Sequence, residues 1–510
     1  MRLLTFSITG EYRSLNDFSW DFRGYPIDIQ QMEPICLVGL NGSGKSNLIE
    51  VLSEVFCYLD LCSLGYVSET QLKKVCPPPF SVEYLLNISN GDNLTHIKVD
   101  LSNKNTISFY KKVDDVFEPI ETDNWREYLP SRVVGYSSGH NETVSMPYLR
   151  NQSLYSIEVA KQARATVEEK KKLIQHTSSI YMDYDSNASI LIANYFFLEK
   201  KELSIFDEFL RISSVSSFSI SINLKPRNTV VELTEELEET IQKLESCAIN
   251  THQTETHQRV LSFVINDASK SAFSKYFDDA RTFYLAIYKL SLLNSLSLTK
   301  REREFYLRSN LKRGLLERAP TIAKKDKVFS IDELRLVIAR PEKEVDYSGI
   351  SDGEHQFIHV FGTLLLFSEE NCLYLLDEPE SHFNPLWRAE FIKIMNGIGT
   401  TRYQDFVVST HSPFLVSAAH SDNVLKFSRA DEVVHPKALD FQSYGSSFEY
   451  LLAKLFDLRT PISSQALDEL KQVAMSDDID ELKLAISKFG ESLEKRYLYQ
   501  RLAELESRGN

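Results

Sequence analysis

The sequence predicts an α/β fold: a mixed sheet with flanking helices, an antiparallel β section, an inserted helical lobe and a helical C-terminal tail. Three stretches carry that expectation. The first is Gly39-Leu40-Asn41-Gly42-Ser43-Gly44-Lys45-Ser46-Asn47, set between the apolar run 34–38 and the amphipathic run 48–56. The second is the apolar run 372–376, closed by Asp377 and Glu378. The third is the short apolar run 406–408, followed by Ser409, Thr410 and His411.

The first stretch reads strand, glycine loop, helix, and it fits the phosphate-loop pattern G-x-x-x-x-G-K-[ST] in the context that pattern requires. Glycines let the backbone wrap a polyphosphate and turn its N–H groups inward. The helix opening at Lys45 points its positive end at the same anion. Lys45 is expected to reach the β- and γ-phosphates, and the Ser46 hydroxyl to bind Mg2+.

Composition sets the bounds. The 510 residues are 25% charged and 43% hydrophobic, long enough for two or three domains. The net charge of −15 does not suggest a protein that coats nucleic acid in bulk. No apolar run reaches the length of a membrane span, and the N-terminus reads as a strand rather than a signal peptide, so a cytoplasmic chain is expected. The six cysteines form no C-x-x-C pair, and Cys36 and Cys372 read as small buried hydrophobes in a reducing compartment.

Taken in order, 1–150 is expected to hold the phosphate loop and the antiparallel section: a hairpin over 3–22, then strands over 81–88 and 96–110. Residues 131–136 form a short strand ending in Ser137, Ser138 and Gly139, the place of a second loop facing the ligand or of a plain surface loop. Residues 151–327 read as the inserted, mostly helical lobe, with helices over 190–209, 234–244 and 272–296 and one strand over 218–224. Within it, 300–327 has ten basic and four acidic residues, a net of +6, with Phe305 and Tyr306 among them. That pattern suits single-stranded nucleic acid or a solvated helix face with ion pairs. Residues 328–440 return to the α/β domain, and 441–510 form the helical tail, a docking surface for a partner or a helix packed on its own domain.

In the second half, Ser351-Asp352-Gly353-Glu354 opens a helix running to about Glu369. The run ending in Asp377 and Glu378 describes a buried parallel strand delivering carboxylates at its C-terminal edge, where open α/β sheets bind ligands. Asp377 would hold Mg2+ and Glu378 would take a proton from the attacking water. His411 ends a third strand, where it can donate to a γ-phosphate. Glu380, Ser381, His382 and Asn384 leave the same strand edge and face either nucleotide or a second subunit.

This set resembles an ABC-type ATPase head of the chromosome-maintenance and DNA-repair branch. Gly39 to Asn47 resembles its phosphate loop, Ile350 to Glu354 its signature, Asp377-Glu378 its Walker B acids, and His411 its switch histidine. The resemblance implies ATP and Mg2+ as cofactors, and self-association in at least a dimer. Ser351 and Gly353 of one protomer would then close on the γ-phosphate held by another. Asp352 departs from the usual first signature glycine, as in the overcoming-lysogenization-defect group. No glutamine loop is evident, and the residues after Glu378 do not follow the transporter pattern.

Asp-Glu-Pro-Glu-Ser-His-Phe-Asn-Pro, with the Ser-Asp-Gly-Glu signature and the inserted lobe, is similar to the PtuA-type ATPases of Septu and retron antiviral systems. That family works with an HNH endonuclease of the PtuB type and, in retron versions, with a reverse transcriptase and its RNA–DNA product. The resemblance implies an ATPase that senses phage infection and restrains a separate nuclease, with no nuclease centre in its own tail. A stand-alone repair ATPase of the RecF or SMC type, and a nucleotide-bound scaffold without turnover, are the competing expectations.

Overall fold

The computed structural model describes residues 1–22, 33–88, 94–139, 142–254, 258–307, 320–339, 342–398, 403–430, 433–458 and 462–508. It divides into two compact units, Met1–Tyr444 and Gly445–Asn510.

The larger unit is built on a seven-stranded sheet. Its order is Ser179–Tyr181, Arg132–Ser137, Cys372–Asp377, Asp405–Ser409, Ile35–Val38, Val424–Ala430, Val433–Ala438. Neighbours are parallel except for the last, which closes the edge as an antiparallel hairpin. The three central strands are buried at every position, as expected where both faces of a parallel sheet are covered. Alternation then sorts their side chains between two cores. Leu373, Leu375, Val407 and Leu37 join one, and Cys372, Tyr374, Leu376, Phe406 and Val408 join the other. Cys36 and Cys372 are both buried free thiols, as the sequence suggests.

The helix Lys45–Cys62 belongs to the first core, with a six-stranded antiparallel sheet whose strands include Arg2–Ile8, Phe80–Leu86 and Thr95–Leu101. Phe56 of the helix meets Tyr84 of that sheet with ring centroids 5.9 Å apart. Each such fully buried large side chain contributes about 1.5–3 kcal/mol. The helix is thereby fixed from both sides, and its N-terminus is aimed at the edge of the parallel sheet.

The inserted region is helical, and it carries more β structure than the single strand its sequence suggests. Helices include Glu142–Gln162, Tyr184–Phe197, Glu235–Cys247 and Ala280–Leu292. A five-stranded antiparallel sheet runs Asn250–Gln253, Arg259–Val264, Ile212–Ile222, Phe329–Ala339, Glu342–Asp346. Serines spaced through Ile212–Ile222 mask its β pattern, and its partner Phe329–Ala339 lies across the expected boundary at 327. The helix expected over 190–209 is two, Tyr184–Phe197 and Ser204–Leu210.

The basic stretch corrects one expectation. Phe305 and Tyr306 sit on the helix Lys300–Tyr306 and are buried with Met146 and Leu298, so neither ring offers a stacking platform. Lys324 pairs with Asp332 and Lys327 with Asp185. Residues 308–319 of this stretch lie outside the described residues.

The smaller unit consists, among its described residues, of the helices Phe448–Phe456, Ser464–Ala474, Ile479–Lys488 and Arg496–Arg508. Leu470, Leu482, Ala485 and Leu498 form its core. Among the described residues of the chain, no helix is long and apolar enough to cross a membrane.

The signature helix Asp352–Phe357 continues through a wide π turn, Ile358–Gly362, into Thr363–Leu366. His359 on that turn is buried, and its Nε2 donates to the Asp183 carbonyl at 2.6 Å. Burial pushes its pKa down to about 4, against the bond to Asp183, which raises it. Unfolding therefore takes up a proton below the ordinary histidine value of 6.5, so this residue's contribution is intact above that value and lost as pH falls towards 4. The stability advantage of wild type over His359→Gln should shrink by about 3 kcal/mol between pH 7 and pH 4. Urea denaturation of both proteins across that range measures it.

Candidate functional site

The three predicted segments meet because their strands are neighbours. The strand leading to His411 lies between the phosphate-loop strand and the acidic strand, and adjacent strands are about 4.8 Å apart. Asp377 stands opposite Ser409 in the register.

The loop itself has the shape of an anion nest. Gly39, Gly42 and Gly44 have φ of 145°, 77° and 101°, a region glycine enters without strain. A Cβ on Gly39 would lie 2.3 Å from the Phe427 carbonyl oxygen, and one on Gly44 would lie 2.7 Å from Val434. Both glycines are therefore also required by the edge hairpin packed behind the loop. Lys45 is buried, and its Nζ donates to the carbonyls of Gly39 at 3.0 Å and Leu40 at 3.2 Å. Burial lowers its pKa, while Glu378 and Asp377 raise it. Asn47 donates to Ser14 Oγ at 2.6 Å, which places it in the packing of the loop.

Ser46 Oγ donates to Asp377 Oδ1 at 2.9 Å. Ser409 Oγ donates to the same oxygen, and Ser137 Oγ donates to Oδ2 at 3.4 Å. Glu378 follows with φ of 51°, its N–H donating to the Ser409 carbonyl at 3.1 Å and to Ser409 Oγ at 3.2 Å. Burial raises the Glu378 pKa, Asp377 raises it further, and Lys45 opposes both. His411 Nε2 lies 3.5 Å from Glu378 Oε1. Burial and then Lys45 lower the His411 pKa, which favours the neutral imidazole, and Asp377 opposes them.

The residues fit a magnesium-bound triphosphate. A serine hydroxyl beside a carboxylate is the oxygen donor set Mg2+ takes alongside phosphates. Among the described residues the buried Ser43 Oγ has no hydrogen-bond partner, an orphan at the centre of the glycine loop.

The signature serine bonds to its own helix rather than to Lys45, Asp377 or Glu378. Ser351 is exposed and caps its own helix, with its N–H and Oγ held by Glu354 Oε2 at 2.7 and 2.8 Å. Gly353 packs against the loop after Glu378, where a Cβ would lie 2.8 Å from the His382 carbonyl oxygen. Glu380 is wholly inside rather than facing a ligand. Burial pushes its carboxyl up to about 7, Thr410 donates to one oxygen, and the other has no partner among the described residues. Asn384 accepts from the Trp387 N–H at 3.0 Å, so it orders the next helix.

Sequence reasoning did not single out Ser409, Thr410 or Gln356. Ser409 was accessible, since a hydroxyl at a strand end next to the acids falls in register with them. Gln356 carries no motif signal; only the fold brings its amide to the acidic loop.

Residues 183–417 match the family model described as "AAA domain, putative AbiEii toxin, Type IV TA system". The match takes in the signature, the two acids and His411 and leaves the phosphate loop outside. Over that stretch the chain is similar to AAA-type ATPase domains. Among solved structures, the SMC head domain from Thermotoga maritima is similar at 12% identity and a TM-score of 0.34, covering 86% of this chain and 100% of that one. An SMC head bound to the C-winged helix domain of ScpA is similar at 11% identity and a TM-score of 0.36, covering 86% and 98%. No curated protein matches the chain.

The glycine loop gives a test of the geometry. Gly42→Ala, with open space around its Cβ, should cost about 1 kcal/mol for its backbone alone. Gly39→Ala should cost about 3 kcal/mol, from strain plus overlap with the Phe427 carbonyl. Chemical denaturation of the two variants reads the difference.

Proposed function

We propose that this chain is the ATP-binding and ATP-hydrolysing component of a bacterial antiviral system, controlling a partner HNH endonuclease of the PtuB type. In a retron setting the complex also contains the reverse transcriptase and its RNA–DNA product. The observation that supports ATP chemistry most directly is the hydrogen bond from Ser46 to Asp377, 331 positions apart in the chain. It joins a phosphate loop to an acidic strand end, with Glu378 and His411 beside them.

In this reading the amides of 39–44 and Lys45 bind the phosphates, and Ser46 and Asp377 hold Mg2+. The bound magnesium–triphosphate supplies an electrophilic γ-phosphorus and neutralises developing charge. Glu378 accepts a proton from water, and His411 donates to the γ-phosphate and orients Glu378. Ser351 and Gly353 serve a second copy's nucleotide, which fits the exposure of Ser351.

The defence role rests on the sequence from Asp377 to Pro385 and on the description of the matching family model, which names a putative toxin of a toxin–antitoxin system. The partner nuclease rests on the sequence alone. The helices of Gly445–Asn510 are the proposed docking unit.

Glu378→Gln should keep nucleotide affinity within about threefold and lower hydrolysis by about a hundredfold or more. Lys45→Ala should lose nucleotide binding, read with a fluorescent ATP analogue. Both should abolish protection in a phage plating assay in cells carrying the neighbouring genes. Full protection by both variants would overturn the role, and loss with Lys45→Ala alone would mark a nucleotide-bound scaffold.

A further inference from the structure

We propose that Gln356 is a positioning residue that links the exposed signature end of its helix to the peptide of Glu378. The inference rests on the reading of Glu378 as the base and adds to it a mechanical connection to the signature.

Gln356 is 2% exposed, a place where an amide costs about 1–3 kcal/mol unless its hydrogen bonds are made. They are made, and mostly to one loop. Its Oε1 accepts from the His382 N–H at 2.8 Å. Its Nε2 faces three acceptors: Tyr136 OH at 2.9 Å, Ser381 Oγ at 3.2 Å and the Glu378 carbonyl at 3.4 Å. One turn earlier, Gly353 sits so close to the His382 carbonyl that no side chain fits. The helix and the loop after Glu378 are therefore joined at two successive turns.

Glu378 needs such a hold. Its φ of 51° is a left-handed conformation, which costs a non-glycine residue about 1–2 kcal/mol. Ser409 fixes its N–H side. On the carbonyl side the Ser381 N–H donates at 3.2 Å, and Ser381 is itself held by Gln356. Without the amide, the peptide is free to relax towards the right-handed region, which swings the carboxylate away from His411. Ser351 lies five residues back on the same helix, about 7.5 Å along its axis. A ligand or second copy that presses on Ser351 thus acts on a rigid element whose other attachment is the base.

The test uses the full chain with two substitutions. Gln356→Met keeps the shape and removes every hydrogen bond; Gln356→Glu keeps the acceptor for His382 and removes the donors. Steady-state hydrolysis should show kcat at least tenfold lower in both, with KM for MgATP within about twofold. Hydrogen exchange at the His382 amide should be at least tenfold faster in Gln356→Met and close to wild type in Gln356→Glu. A residue that only supports the fold would instead lower the melting temperature and change KM and kcat together. A kcat within twofold of wild type in the folded variants, or unchanged His382 exchange in Gln356→Met, overturns the inference. If wild type hydrolyses no ATP, the proposed function fails, and the His382 exchange alone decides the link. Should Gln356→Met not fold, Gln356→Glu decides through its kcat.

Discussion

The carboxylate of Asp377 is the point on which the site depends. It is buried at 5% exposure and receives hydroxyls from three different elements: Ser46 at the helix start, Ser409 on the next strand and Ser137 on the strand opposite. Taking a carboxylate out of water costs several kcal/mol. Hydrogen bonds to a charged group return about 1.5–3 kcal/mol each. A buried carboxylate so placed holds the three strand ends together and keeps each hydroxyl oriented. Ser409 carries the order one residue further, because its oxygen also accepts the Glu378 N–H.

That arrangement is a product of the sheet. The strands ending at Val38, Asp377 and Ser409 are adjacent and parallel, so their C-terminal ends emerge on one edge. Two cores cover the sheet on its two faces, and Tyr374 and Phe406 of adjacent strands stack on one of them at 4.6 Å. A substitution in either core would tilt a strand end and be felt at the Ser46–Asp377 contact, far from the altered side chain.

Much of this was legible in the sequence because the site is made by strand ends, and strand ends announce themselves. An apolar run that stops abruptly at Gly39, at Asp377 or at Ser409, two residues before His411, marks both the strand and the residue it delivers. The antiparallel section was legible for the same reason, since Phe80–Leu86 and Thr95–Leu101 alternate cleanly. The five-stranded sheet was not. Its strand Ile212–Ile222 is rich in serine, and its pairing with Phe329–Ala339 spans more than a hundred residues. Phe305 and Tyr306 misled because composition places aromatics among cations without saying which face they occupy. Glu380 misled for a related reason: a glutamate beside two acids reads as exposed, and only the packing around Thr410 shows that it turns inward.

The charges around the loop narrow what the site can accept. Asp377, Glu378 and Glu380 are grouped near Lys45, and burial already raises the pKa of the two glutamates. A bare triphosphate brought to this edge would add negative charge to three carboxylates already grouped around Lys45. The glycine-loop amides and the helix end supply only partial charges. A divalent cation is what offsets the remainder, and the hydroxyl of Ser46 beside Asp377 is where oxygen donors suited to it converge. The same electrostatics explains why Lys45 turns back onto the carbonyls of Gly39 and Leu40. Those two bonds are each weaker than a charge-assisted bond to phosphate, so the lysine is held in place by partners that an incoming phosphate can replace.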